Sequence, residues 1–375
     1  MDIKKSDIDI ASKASCYARI RRRFLLVNIL VTILTLVIIQ LSGTSSKLET
    51  IILIHYPNFY IKNMLYVGVL SVLLALIFFP LNYFAHFHLE HRFQLSNQSL
   101  MSWLWDGVKA FFLNLIFSIV LVEVIYLFLK EFPRTWWILS TAFYFFLTVV
   151  LSRITPTLIL PLFYKLKPLE DSILVEKLKA LARNAGAKIV GVFQMDMSRK
   201  TKKANAMFTG LGKSKRIILG DTLLSHFTTE EIEVVLAHEL GHYYYRHIWR
   251  FIISGLGTSL VGFYLAYRVL TALVDPLGIQ EIHNIAGLPF FILILFLFLL
   301  FLMPFQNGYS RRLEKQADRF ALEKTKNPRA FIDAMKKLAD QNLAEVSPHP
   351  FVEFILYSHP SIEKRIRFAE TYKMS

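Results

Sequence analysis

Two histidines four residues apart, with a glutamate directly after the first, carry the strongest chemical signal in the sequence. His-Glu-Leu-Gly-His at positions 238–242 follows a capping-box pattern at 228–231, which predicts a helix over the motif. On a helix, His238 and His242 project from one face, so both imidazoles can bind one Zn²⁺. Glu239 then lies beside the metal without binding it, and can take a proton from an attacking water and deliver it to the leaving amine. The alternative is two helical histidines that merely pack against their neighbours.

A catalytic zinc usually has a third protein ligand, and the carboxylates further along the chain are the candidates. Helical spacing puts Glu314 and Asp318 on one face, so one could bind the metal while the other holds a ligand histidine. Without the histidine motif, this pair would be a solvated charged face. His359 and Arg365 come near the end of the chain and could polarise a substrate carbonyl or stabilise an oxyanion. Otherwise they are a turn histidine and a helix charge.

Long apolar segments must position these residues. The chain has 375 residues, of which 54% are hydrophobic and 19% charged, with a single cysteine. This composition excludes an ordinary water-soluble domain, a disordered chain and a disulfide scaffold. Six segments are long enough to cross a hydrocarbon core of about 30 Å as helices. They are 24–41, 64–84, 110–129, 136–160, 251–274 and 288–305.

The distribution of lysine and arginine predicts the orientation of these spans. The formal net charge is +15, and in a membrane protein such an excess marks cytoplasmic loops beside anionic lipid, so we do not expect nucleic-acid binding. The loops 42–63, 130–135 and 275–287 contain few basic residues, whereas the N-terminus, the 161–250 segment and the C-terminal tail are rich in them. We therefore expect both termini and the active site on the cytoplasmic side of a multi-pass protein.

Three ionisable residues lie inside the predicted spans, namely Glu123, Arg153 and Arg268. Such groups are costly in hydrocarbon unless they are paired or face water. They indicate a polar interior between the helices. The alternative is that the arginines snorkel to the interface or neutralise a neighbour such as Glu123.

The segment 161–250 has the pattern of a small α+β unit. An amphipathic helix is predicted over 170–184, with an apolar stripe, and a strand is predicted over 188–197. Segments 205–210 and 216–219 flank a glycine-bearing turn and predict a hairpin. A strand there could pair with an extended peptide by β-augmentation, or the hairpin could simply pack on the catalytic helix. The expected stripe contains Ile173, Leu174, Leu178 and Leu181.

The predicted architecture is an all-α polytopic membrane protein with a small α+β cytoplasmic metalloprotease part. Residues 1–160 form a membrane region with four spans, and 161–250 form the cytoplasmic segment with the hairpin and the zinc-binding helix. Residues 251–306 supply two further spans, and 307–375 form a C-terminal catalytic segment.

Taken together, these features resemble the membrane-embedded zinc metallopeptidases of family M48, in the Ste24 or CAAX prenyl protease type 1 branch. The resemblance covers roughly residues 64–370, and its motifs appear in the family's order. They are Arg92-Phe93, Asn97-Gln98-Ser99, Asp106 with Lys109, Pro161-Leu162-Phe163, Pro168-Leu169, Asn205-Ala206 with Gly210, Arg216-Ile217, Asp221-Thr222-Leu223-Leu224, the motif at 238–242, Glu314 with Ala317-Asp318, and Ser358-His359-Pro360 with Arg365.

The resemblance implies a site and a fold. It implies one Zn²⁺ per chain, a peptide or protein substrate, and about seven long helices enclosing a water-filled chamber, the motif helix being the seventh. The implied roles are zinc binding for His238, His242 and Glu314; base catalysis for Glu239; proton donation or support of a ligand for Asp318; a grip on the substrate backbone for Asn205; and contact with the scissile region for His359 and Arg365.

Departures from the family pattern bear on the substrate. The loops are short, and Gln94-Leu95-Ser96 stands where the family usually has Gly-Phe-Asn after the Arg-Phe pair. These differences favour a compact bacterial version, in the inner membrane, that acts on other peptides or on misfolded membrane proteins over one that trims prenylated proteins. Two further hypotheses are an HtpX-like quality-control protease and a non-proteolytic membrane scaffold. The four spans before the motif argue against the first, and the intact ligand set argues against the second.

Overall fold

A computed structural model of the chain describes residues 5–210, 212, 215–273 and 281–372. Six of the helices are long and apolar enough to cross a membrane, which confirms the six predicted spans. Each runs beyond its predicted segment at one end or both, because hydropathy detects only the apolar part of a helix. The six are Ala11–Leu41, whose helix begins at Lys5, Phe59–Arg92, Leu100–Glu131, Trp136–Phe163, His247–Leu273 and Ile285–Thr325.

Shorter helices lie between and after the spans. One of them, in the loop 42–63, was not predicted from the sequence. Its Ser45 hydroxyl donates to the carbonyl of Ala286 at 2.5 Å and lies 2.6 Å from the Tyr66 hydroxyl, so the loop packs on the bundle. The shorter helices are Thr44–His55, Ser172–Asn184, Asp221–Leu224, Thr229–Tyr244, Pro328–Asn342, Pro350–Leu356 and Ile362–Glu370.

A four-stranded sheet follows the fourth span, and its strands are β1 Leu166–Pro168, β2 Val192–Met195, β3 Ala206–Thr209 and β4 Arg216–Gly220. The strand order is β1-β2-β4-β3. The predicted hairpin is confirmed, since β3 pairs antiparallel with β4, while β2 pairs parallel with β4 and antiparallel with β1. Positions 213 and 214 of its turn lie outside the described residues. Strand β3 is at the edge of the sheet.

The helix Ser172–Asn184 packs beneath this sheet. The prediction was wrong for one residue of its apolar stripe. Leu174 and Leu178 are buried as expected, but Ile173 is 73% exposed. The Asp171 side chain caps the first turn by accepting from the Leu174 amide at 3.0 Å. Residues 174, 178 and 182 then define the buried face, and Ile173 projects about 100° away from its neighbour Leu174.

Two helices that carry the candidate site pack closely against each other. We call Thr229–Tyr244 the motif helix and Leu288–Thr325 the carboxylate helix. A Cβ atom added to Gly241 would lie only 2.9 Å from the Ala317 Cα atom, so glycine permits this approach. The carboxylate helix runs unbroken from the sixth span across position 306, so one rigid element joins the membrane region to the site.

The chain is thus mostly helical, with a membrane bundle and a small sheet. A cavity of about 580 Å³ lies between the spans, and its lining includes Tyr126, Tyr144 and Phe298. The motif helix is much shorter than the spans and packs among the sheet and the carboxylate helix. The expected seven-helix count is therefore approximate: six spans and this shorter helix.

Candidate active site

The motif helix begins where the capping box was predicted. The Thr228 hydroxyl accepts from the Glu231 amide at 3.3 Å, and the Glu231 carboxylate accepts from the Thr228 amide at 2.7 Å. Lys337 also donates to the same carboxylate at 2.8 Å. This cap fixes the start of the helix. Because His238 and His242 are four residues apart on it, they lie on one face, one turn apart.

His238, His242 and Glu314 converge on one point. The Nε2 atoms of the two imidazoles are 3.2 Å apart, and the Glu314 carboxylate lies 3.2 Å from one and 3.4 Å from the other. One ligand atom from each residue lies within 4.8 Å of the others, which suits a single metal ion. Oε2 of Glu314 is buried, and although His238 Nε2 lies 3.2 Å away, no described donor meets it with hydrogen-bond geometry. An orphaned buried carboxylate oxygen fits a metal ligand.

The two imidazoles differ in their affinity for protons. Burial, together with the nearby His238, lowers the pKa of His242 to about 3, so this ring is neutral near pH 7. Burial acts in the same direction on His238, but the hydrogen bond that Asp318 accepts and the adjacent Glu314 carboxylate outweigh it and raise the pKa of His238 to about 9. The acidic surroundings of His238 therefore favour a cation, either a proton or a metal ion.

Asp318 and Arg365 lie on the Nδ1 side of His238, whereas its Nε2 faces His242 and Glu314. Asp318 Oδ1 is 2.9 Å from His238 Nδ1, and Asp318 Oδ2 accepts from Arg365 Nε at 2.9 Å. A second guanidinium nitrogen of Arg365 also donates to this carboxylate. All three side chains are buried. Arg365 is thus paired with Asp318 and does not point a free guanidinium at a substrate.

Glu239 is partly buried and directly follows His238 on the motif helix. Burial raises the pKa of Glu239 above the usual range of a glutamate, while the charge of His238 and the backbone N–H of Phe208 in β3 act in the opposite direction. A carboxylate whose pKa is raised towards neutrality suits a general base.

The remaining candidate residues, His359 and Asn205, are both exposed. His359 Nε2 lies 3.3 Å from Glu314 Oε1, and 58% of its side chain is exposed. Asn205 is exposed and directly precedes β3, and its carbonyl accepts from the Gly220 amide at 2.9 Å. Both are therefore near the cluster or the adjoining sheet edge, and both are accessible to a substrate.

One contact of the cluster was missed in the sequence. His247 is fully buried, and its Nδ1 lies 3.0 Å from the Nδ1 of His242. Gln316 makes a further contact on the opposite ring nitrogen of His247. A third histidine five residues after the motif was a signal in the sequence, but its spacing alone could not show that its ring contacts His242.

Two family models match the chain. The model of Peptidase family M48 matches residues 168–373, which include the motif helix, the sheet and the C-terminal helices. The model described as "CAAX prenyl protease N-terminal, five membrane helices" matches residues 4–165. This second range contains four of the six candidate spans and the helix Thr44–His55. Together the two models cover almost the whole chain.

Individual proteins agree with the family models. The "Uncharacterized metalloprotease YhfN" of Bacillus subtilis is 29% identical over 98% of this chain and 86% of that protein. The CAAX prenyl protease 1 of Saccharomyces cerevisiae is 32% identical over 83% of this chain and 73% of its own length. The crystal structure of S. mikatae Ste24p superimposes with a TM-score of 0.84 at 26% identity, covering 96% of this chain and 88% of that one. The chain belongs to peptidase family M48 and is a membrane metalloendopeptidase related to the CAAX prenyl proteases 1.

Proposed function

We propose that this metalloendopeptidase uses one Zn²⁺ held by His238, His242 and Glu314. The observation that carries the proposal is the convergence of two imidazole Nε2 atoms and one buried carboxylate. Two histidines and a glutamate are a frequent ligand set of catalytic zinc, which keeps a fourth position for water or substrate. Zinc supplies Lewis acidity there, making water more acidic and polarising the scissile carbonyl.

Glu239 is the proposed general base. It takes a proton from the attacking water and delivers it to the amine that leaves when the peptide C–N bond breaks. Its position on the motif helix, directly after His238, supports this role, as does the rise in its pKa through burial. His359 is exposed beside Glu314 and is proposed to donate a hydrogen bond to the oxygen of the scissile carbonyl as negative charge develops.

Asp318 and Arg365 are proposed to act through His238. Asp318 accepts the Nδ1 proton of His238, which directs the Nε2 lone pair to the metal, and Arg365 holds that carboxylate in place. This arrangement supports a positioning role for Asp318 over direct proton donation to the leaving group, because both of its oxygens already have partners.

The substrate is proposed to bind as an extended peptide along β3. An edge strand presents unpaired backbone groups, so a peptide can add to the sheet there. The influence of the Phe208 N–H on Glu239 indicates that this edge faces the base. Asn205 directly precedes β3 and is proposed to hydrogen-bond to the peptide backbone.

The protein is proposed to lie in a bacterial inner membrane with the site and both termini on the cytoplasmic side. The distribution of basic residues supports this orientation. Near the start of the first span, Tyr17 accepts from Lys203 at 3.1 Å, and Arg22 pairs with Glu345 at 2.5 Å. The N-terminal end of that span is therefore on the same face as the catalytic segments. Exposed leucines and isoleucines on the spans, such as Leu76 at 68% exposure, suit contact with lipid.

The test uses the full chain purified in detergent, as wild type and as Glu239→Gln. Zinc per chain and cleavage are measured on a quenched farnesylated CAAX peptide and on its unprenylated twin. We expect both proteins to bind one zinc and only the wild type to cleave, because Glu239 is not a ligand. Activity retained by Glu239→Gln would refute the mechanism.

The two peptides separate the substrate classes. Equal cleavage of the twins supports an endopeptidase of unmodified or misfolded membrane proteins, as the short loops suggest. Preferential cleavage of the farnesylated peptide would instead establish prenyl-protein processing, which is the activity named for the yeast relative.

A further inference from the structure

A chain of hydrogen bonds continues from His242 away from the proposed metal. The Nδ1 atom of His242 lies 3.0 Å from Nδ1 of His247, and Nε2 of His247 lies 3.0 Å from Oε1 of Gln316. Arg250 donates to the same Gln316 oxygen at 3.1 Å. His247 is completely buried at the start of the fifth span, and Gln316 is on the carboxylate helix. These hydrogen bonds therefore connect the site to two of the long helices.

The chemistry of Arg250 fixes the direction of every bond in this chain. A guanidinium only donates, so the amide atom of Gln316 that faces it must be the oxygen, which only accepts. The Nε2 of His247 must then donate to that oxygen, and in a neutral imidazole the other ring nitrogen, Nδ1, is the acceptor. His242 must consequently carry its proton on Nδ1, and its Nε2 bears the free lone pair.

That lone pair points at the proposed metal position. Nε2 of His242 is 3.2 Å from Nε2 of His238 and 3.4 Å from the Glu314 carboxylate. The tautomer that Arg250 and Gln316 select through His247 is therefore the one that a zinc ligand needs.

We propose that His247 is a positioning residue, which fixes the tautomer and the ring orientation of His242 for metal binding. This inference rests on the proposed role of His242 as a zinc ligand. The two ligand imidazoles then have unlike partners, a carboxylate behind His238 and a neutral imidazole behind His242. Removing the acceptor atom of such a residue is expected to weaken zinc binding by about 10–100-fold.

The competing explanation is that His247 only fills space between helices. The polypeptide turns sharply just before His247, where Arg246 has a φ of 55°. A buried side chain after this turn contributes to packing whether or not it accepts a hydrogen bond. Packing depends on volume, whereas the proposed role depends on one acceptor atom. The two explanations therefore differ for substitutions that separate volume from acceptor.

The experiment compares wild type, His247→Asn and His247→Leu as full chains in detergent. Asparagine offers Oδ1 where His247 offers Nδ1, whereas leucine is similar in size but has no acceptor. Zinc dissociation constants are measured by competition with a chelator, and the visible spectrum of the Co²⁺-substituted protein reports ligand geometry. We expect His247→Leu to bind zinc about 10–100 times more weakly and to alter the cobalt spectrum, and His247→Asn to stay close to wild type.

The outcomes separate the two proposals. Equal zinc affinity in all three proteins, or the same loss in both variants, overturns the positioning role of His247. A wild type that binds no zinc contradicts the proposed function itself. If His247→Leu does not fold, Gln316→Met and Gln316→Glu take its place, because only glutamate keeps an acceptor for His247. Weaker zinc binding in Gln316→Met than in Gln316→Glu supports the inference, and equal binding overturns it.

Discussion

His238 and Asp318 are joined by a buried hydrogen bond of 2.9 Å between the imidazole Nδ1 and the carboxylate Oδ1. The two residues are 80 positions apart, on the motif helix and the carboxylate helix, so this bond exists only because the two helices pack side by side. Arg365 closes the arrangement from a third helix, near the C-terminus. A carboxylate in this position fixes the ring orientation of a ligand histidine and increases its basicity. Fold and chemistry thus depend on the same contact.

Removing Arg365 is expected to be more harmful than removing the whole pair. Arg365→Met removes the guanidinium partner of the buried Asp318 carboxylate, and breaking a buried pair in this way costs about 3–5 kcal/mol. In the double variant Asp318→Asn/Arg365→Met no charge remains unpaired, so the thermal midpoint in detergent should be higher than in Arg365→Met alone. A double variant at or below the midpoint of the single one would show that the pair is not coupled.

Zinc uptake is expected to strengthen as the pH rises. The pKa of His238 is raised to about 9, so near neutrality this ring holds a proton that zinc must displace, whereas His242, with a pKa of about 3, is already free. Below about pH 9 the apparent affinity should therefore increase about tenfold per pH unit, with about one proton released per zinc bound. Competition titrations with a chelator, corrected for the chelator's own protonation, measure both quantities.

The control for this titration is Asp318→Asn. It removes the charged partner that keeps the proton on His238, so less than one proton should be released near neutral pH. A wild type whose zinc affinity is independent of pH would contradict the assigned protonation of His238.

Gly241 should not tolerate even a methyl group. A Cβ atom there would approach the Ala317 Cα atom to 2.9 Å, and backbone cannot move aside as a side-chain end can. Gly241→Ala should therefore separate the two site helices, lower the thermal midpoint and abolish zinc binding. Gly257→Ala is the matched control, because a Cβ at this exposed helix position meets nothing within 4 Å. It should leave the midpoint unchanged or raise it, since alanine favours a helix by about 1 kcal/mol. Similar effects of the two substitutions would rule out the steric explanation.

Gln94 occupies a backbone conformation that normally calls for glycine. Its φ is 58°, and the Leu95 amide behind it donates to the Glu90 carbonyl at 2.8 Å, which is the closure that ends a helix with a left-handed residue. Gln94→Gly should stabilise the protein by about 0.5–1 kcal/mol, because glycine adopts this φ without strain. Gln94→Ala should have little effect, since alanine retains the strain. A thermal midpoint that rises equally in both variants would mean that the glutamine side chain, and not φ, is unfavourable.

The sequence was sufficient where the determinants of structure are local. Hydropathy located all six spans, the cap at Thr228 located the motif helix, and turn residues located the hairpin. It was insufficient where the determinant is a contact between distant segments. The helix Thr44–His55 is held by Ala286, more than two hundred residues away, and Ile173 is exposed because the helix Ser172–Asn184 packs on the sheet with the face that carries Leu174 and Leu178.

The same distinction holds within the site. Helical spacing brought His238 and His242 together and put Glu314 and Asp318 on one face, but it could not decide which carboxylate faces the metal. That depends on how the two site helices are rotated against each other, which no local pattern encodes. The sequence predicts that Arg365 contacts a substrate, whereas its guanidinium is buried and paired with Asp318.

Asn205 provides a test of peptide binding that is separate from the chemistry. It lies exposed at the start of the edge strand, and one hydrogen bond to a substrate backbone contributes about 0.5–1.5 kcal/mol. Asn205→Ala should therefore raise KM by about 2–12-fold and leave kcat nearly unchanged, because the lost bond is equally present in ground state and transition state. Glu239→Gln should show the opposite division, with kcat lost and peptide binding retained. Steady-state kinetics on the unprenylated peptide gives both constants, and a fall in kcat with unchanged KM in Asn205→Ala would assign this residue to the transition state and not to the binding of the strand.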